Sequence, residues 1–83
     1  MFVEYRIIQP NKYGYDNSEM RKWGVFVDDK CIVTTDSEEL AEEFKKRADK
    51  YINNKETPPF ESEYLNNIVN MMFKTINKYK KNI

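Results

Sequence analysis

The chain has 83 residues, 40% hydrophobic and 34% charged, a balance that suits one globular domain over 1–83 and not a disordered chain. It carries 14 acids against 14 bases, no histidine and a single cysteine, Cys31. The commonest general base and metal ligand near neutral pH is therefore missing, no internal disulfide is possible, and nucleic-acid binding through bulk charge is disfavoured.

Residues 2–8 alternate, with Val3, Tyr5 and Ile7 on one face and Glu4 and Arg6 on the other. That period of two predicts a half-buried strand, ended by Pro10, which has no N–H to give to a ladder. No basic segment precedes the strand and no apolar run nears the ~18 residues of a membrane span. The expectation is a cytoplasmic chain without a signal peptide, which a lone thiol also suits. Residues 11–21, NKYGYDNSEMR, hold turn formers and no periodic apolar set, so they read as a long loop. Long loops often carry function, and Tyr13, Tyr15 and Arg21 are residue types that anchor interfaces. The plainer alternative is a solvated loop whose tyrosines fold back on the sheet edge.

Residues 22–27 and 31–35 read as two strands joined across Asp28, Asp29 and Lys30. A loop of that length sets Val27 opposite Cys31, Val25 opposite Val33 and Trp23 opposite Thr35, an apolar stripe on one side. Cys31 is then expected as a small buried hydrophobe, with no histidine to activate it.

The first helix is predicted over 37–53. Asp36 suits the N-cap, and Glu39, three residues on, completes a capping box. Leu40, Ala41, Phe44, Ala48, Tyr51 and Ile52 share an arc of roughly 120°. The pairs Glu42–Lys46 and Glu43–Arg47 are set on the opposite side. Residues 28–43 hold seven acids against Lys30 alone, a net of −6. Asp36, Glu38, Glu39, Glu42 and Glu43 could complement a basic groove on a partner, or form the solvated acidic start that helices favour. The same context makes them weak candidates for a cation site.

A polar linker over 53–59 leads to a second helix over 60–80, capped at Thr57 or Ser62. Leu65, Ile68, Val69, Met72, Ile76 and Tyr79 form one stripe. Phe73 widens it on one flank, and Phe60, Tyr64 and Met71 widen it on the other. The arc reaches roughly 220°, more than one contact covers. Either both flanks are buried in a small core, or Tyr64 and Met71 stay outside as an interface. The terminal KTINKYKKN sets Tyr79 among lysines, a pattern open to nucleic-acid contact and equally to helix-dipole complement.

The segment WGVFVDDKCIVTTDSEELAEEF, residues 23–44, resembles a pattern in small phage and prophage accessory proteins. There a strand, an acidic turn and a return strand feed a Thr/Asp-capped, Glu-rich helix. The likeness covers about a quarter of the chain. It implies a phage-type protein that inhibits host machinery by stoichiometric binding, as anti-CRISPR and other anti-defence factors do. It carries over no site residue.

The expected fold is α+β: a three-stranded antiparallel sheet (about 2–8, 22–27, 31–35) followed by two helices packed on one face. The expected function is non-enzymatic binding to a larger protein, without cofactor or metal. Tyr13, Tyr15 and Arg21 lead the interface, Tyr64 and Met71 follow, and the five acids serve as charge complement. The alternatives are a nucleotide-sequestering protein stacking its ligand on Tyr13, Tyr15 and Trp23, a small nucleic-acid binder, and a homodimer formed through Tyr64 and Met71.

Overall fold

The computed structural model describes residues 1–8 and 22–80. Strands β1 (Val3–Ile8), β2 (Lys22–Val27) and β3 (Lys30–Thr35) precede helices α1 (Glu38–Ile52) and α2 (Glu63–Lys80). The sheet is antiparallel in the order β1-β2-β3. Both helices pack on the face that carries Val3, Val25 and Val27, which is the α+β arrangement expected.

The hairpin departs from the expected register at its tip. Asp28 and Asp29 form a two-residue turn, both with positive φ (49° and 68°), so Val27 opposes Lys30 and Phe26 opposes Cys31. Two left-handed residues match the twist of the flanking strands, and this favours the shorter turn. Asp28 also ties the turn to the chain start, accepting from the Phe2 N–H at 2.8 Å and donating its own N–H to the Phe2 carbonyl at 2.9 Å.

A bulge between Val25 and Phe26 then restores the pairs Val25–Val33 and Trp23–Thr35. Ile32 is the extra residue on β3, so Ile32 and Val33 both pack toward the core. Cys31 is turned to the outer face and is exposed, not buried as the alternation implied. One residue of slip reverses every side chain beyond it, and the bulge absorbs that slip before Val33.

On the outer face Gly24 makes room for its neighbours. A Cβ there would lie 2.8 Å from Phe26 Cε1 and 2.9 Å from Ile8 Cδ1. The Arg6 guanidinium covers the Phe26 ring, 3.9 Å from its centroid.

Ser37, not Asp36, caps α1. Its extended backbone (φ −111°, ψ 125°) lets its hydroxyl accept from the Leu40 N–H at 3.3 Å. Because β3 pairs through Thr35, only Asp36 and Ser37 bridge to the helix, and the second takes the cap. The position a capping box needs is then Leu40, which has no acceptor.

Ala41, Phe44 and Ala48 are fully buried on the expected arc. Arg47, placed on the solvent side in the sequence reading, is only 8% exposed. It sits on the flank of the arc, its guanidinium 3.6 Å from the centroid of the Phe60 ring. Phe60 in turn meets Phe44 edge-on at 5.9 Å. Cation–π contact and burial of the aliphatic stem draw a charged residue inward here.

The connection to α2 is held by side chains. Asn66 accepts from the Phe60 N–H and donates to the Phe60 carbonyl, both at 2.8 Å. Ser62, one of the two caps left open, accepts from the Leu65 N–H at 3.4 Å, and the helix starts at Glu63. Further along, Tyr51 stacks on Phe73 at 4.1 Å and donates its hydroxyl to Asn77 at 2.9 Å, fixing α2 beside α1. Lys30 lies 4.5 Å above the Tyr79 ring and joins β3 to the end of α2. Among the described residues, no helix is long and apolar enough to cross a membrane.

The turn supplies a stability test. A left-handed non-glycine residue costs about 1–2 kcal/mol, of which glycine's extra chain entropy returns about 0.5–1. Asp29→Gly is therefore expected to stabilise the protein by about 0.5–1 kcal/mol, seen as a Tm higher by a few degrees. A lower Tm would show that the exposed Asp29 carboxylate, 3.8 Å from Arg6, contributes more than its backbone costs.

Candidate functional site

A groove of about 260 Å³ opens where the end of β3, the first turns of α1 and the first turns of α2 converge. Its floor is apolar, built from Leu40, Phe44, Leu65 and Ile68. Lys22, Thr34, Thr35 and Asp36 border it, and Tyr64 stands at its side. Each wall follows from local structure. Thr35 ends the strand and Ser37 starts the helix, so Leu40 and Phe44 are placed in the groove's floor. Ser62 caps α2, so Tyr64 and Leu65 on its first turn and Ile68 one turn on line it.

Tyr64 is 72% exposed and Met71, two turns on, is 68% exposed. Of the two sequence readings, the flank carrying Tyr64 and Met71 lies outside the core, while Phe73 is packed against it. Phe60, grouped with that flank, instead lies between Arg47 and Phe44. Tyr13, Tyr15 and Arg21 lie outside the described residues.

The acidic series divides. Asp36 borders the groove, and Glu38 and Glu39 are exposed on the first turn of α1. Glu42 is 3.7 Å from Lys46, and Glu43 is 2.7 Å from Arg47, the two pairs read from spacing. The hydrogen bond from Arg47 holds the Glu43 carboxyl below its ordinary value, against a smaller opposing effect of burial. The negative charge left to face a partner is thus concentrated at the start of α1, beside the groove.

Trp23 packs on the core side of the sheet, its ring 5.8 Å from that of Tyr5. Tyr79 is occupied by Lys30. Among the described residues, no group of three or more Cys, Asp or Glu side chains is arranged to hold a metal ion. The arrangement can seat an apolar side chain on Leu40 and Leu65 while the polar border orients what carries it. Sequence reasoning missed Leu40, Leu65 and Ile68 as site residues, because each reads as core on its own helix. Only the meeting of three elements makes them a floor.

No protein-family model, no curated protein and no solved structure matches the chain, so the site stands on its own geometry.

The Glu43–Arg47 contact predicts a pH dependence. Glu43→Gln strands a buried guanidinium, so at neutral pH the variant melts below wild type. A carboxylate whose folded pKa is depressed stabilises above its unfolded value and loses that contribution as pH falls toward the folded one. The gap in Tm is therefore whole above about 4.5, the ordinary value, and closes as the pH drops below it. Melting scans from neutral pH downward test this. A gap that widens in acid contradicts it.

Proposed function

We propose that this chain is a non-enzymatic protein-binding module whose groove receives an apolar side chain from a larger protein. The groove itself carries the reading: an open apolar floor with Tyr64 exposed beside it and an acidic helix start at its border. Tyrosine gives rigid contact area with a polar tip, and a floor already formed costs little to organise on binding. Asp36, Glu38 and Glu39 favour a partner whose contact surface is basic, through faster encounter and rejection of acidic competitors.

The segment 23–44, which resembles phage accessory proteins, contributes Thr34, Thr35, Asp36, Leu40 and Phe44 to this groove. That supports an inhibitor or regulator of host machinery acting in the cytoplasm, of the anti-defence type, working by occupancy and transforming nothing. A basic, nucleic-acid-handling groove is the target surface that such a border fits.

Affinity capture from the soluble fraction of the host cell tests the proposal, with wild type, Tyr64→Ala and Asp36→Lys as baits. Removing an aromatic anchor worth about 1.5–3 kcal/mol lowers retention by about tenfold or more. Asp36→Lys lowers retention at low salt most strongly. Equal recovery of the same proteins by all three baits rules the groove out as the interface.

A further inference from the structure

The three-four periodicity of α2 is used twice. Leu65, Val69, Met72 and Ile76 recur at gaps of four and three and face the core, and Tyr79, under Lys30, continues the spacing. One residue earlier, Tyr64, Ile68, Met71, Thr75 and Lys78 repeat the same gaps: Tyr64, Met71 and Lys78 are exposed, Ile68 and Thr75 are half-buried with Ile68 also resting against the core beside the groove, and the exposed Glu61 stands just before the cap. On the far side of α2, Phe73 and Asn77 are engaged by Tyr51 of α1, so this second row points away from α1. Such a row is a coiled-coil seam, apolar in its middle and charged at its ends.

We propose that this seam pairs antiparallel with the same seam of a second copy of the chain. The order along the helix is its own complement when reversed. With the two-fold axis between Val69 and Asn70, Ile68 meets the partner's Met71, Tyr64 meets the partner's Thr75, and Glu61 meets the partner's Lys78. These are the alternating layers in which antiparallel helices interdigitate. Thr75 already donates its hydroxyl to the Met71 carbonyl at 3.1 Å, so its side chain enters the layer without an unsatisfied group. A parallel pair would set Lys78 against Lys78 and Glu61 against Glu61. A two-fold contact needs one self-complementary patch, and the seam is one.

The predicted interface is small. A single helix pair of this length buries less than about 1,200 Å², the range of weak, concentration-dependent association. The experiment is sedimentation of the full chain across a wide concentration range, with far-UV circular dichroism to show that each variant is folded. Wild type shifts from monomer to dimer as concentration rises. Met71→Lys, at an exposed position, keeps the helix signal and shifts the midpoint upward by about a hundredfold or more. Lys78→Glu or Glu61→Lys alone weakens the dimer, and the double exchange Glu61→Lys/Lys78→Glu restores it to within a few-fold of wild type.

A wild type that stays monomeric throughout overturns the proposal. So does a dimer indifferent to Met71→Lys, or one that the double exchange fails to rescue. The Asp36→Lys arm of the groove's test stays independent of these results, because Asp36 lies in the groove border and at no seam position.

Discussion

A three-stranded sheet is too narrow to roof two helices, and much of this molecule follows from that limit. Strands spaced about 4.8 Å apart span roughly 10 Å from first to last, while each helix needs about 10 Å of width. Helix α1 takes the sheet, touching all three strands, and α2 is left against β3 and the side of α1. Its inner row is buried by that contact, while Tyr64 and Met71 on the outer flank are not. The exposure of Tyr64 and Met71 is a consequence of sheet width, not of a packing fault.

Two small devices keep the arrangement in place. The bulge at Ile32 turns an extra apolar side chain inward at the edge strand, where α2 needs something to rest on. It also disturbs the hydrogen-bonding edge of β3, which guards an open strand against pairing with another chain. The second device is the stack of Arg47 on Phe60 and Phe60 on Phe44, with Asn66 gripping the Phe60 backbone. It fixes where the linker ends, hence where Ser62 starts α2, hence the opening between the two helix starts. The groove is the space these constraints leave.

What the residues announce by themselves is periodicity. The arc of α1, the pairs Glu42–Lys46 and Glu43–Arg47, and the excess apolar width of α2 are all properties of one element, and all are present, while along 2–8 only Val3 and Tyr5 reach the core and Ile7 is 41% exposed. What escapes such reading depends on two elements at once. Cys31 alternates correctly as a buried residue until a two-residue turn and a bulge reverse it. Asp36 is a sound cap until Ser37 stays extended and offers its own hydroxyl to the Leu40 N–H. Arg47 reads as solvated until an aromatic ring from the linker comes to lie on it. The groove belongs to this second kind, since Leu40, Leu65 and Ile68 look like core from within their own helices.

Both proposed contacts draw on Tyr64, which borders the groove on one side and opens the outer seam on the other. A second copy seated along α2 would hold that ring against its own Thr75, and a partner in the groove would draw it the opposite way. Two ligands that need one side chain in two positions oppose each other by the same free energy, whichever binds first. Because the seam is small, this opposition weakens the dimer more visibly than it weakens a larger heteromeric contact. The free chain would then pair with itself when concentrated and come apart as its target fills the groove. Tyr64 can play both parts because the core does not use it: with its ring mostly in solvent, the fold does not depend on where it points.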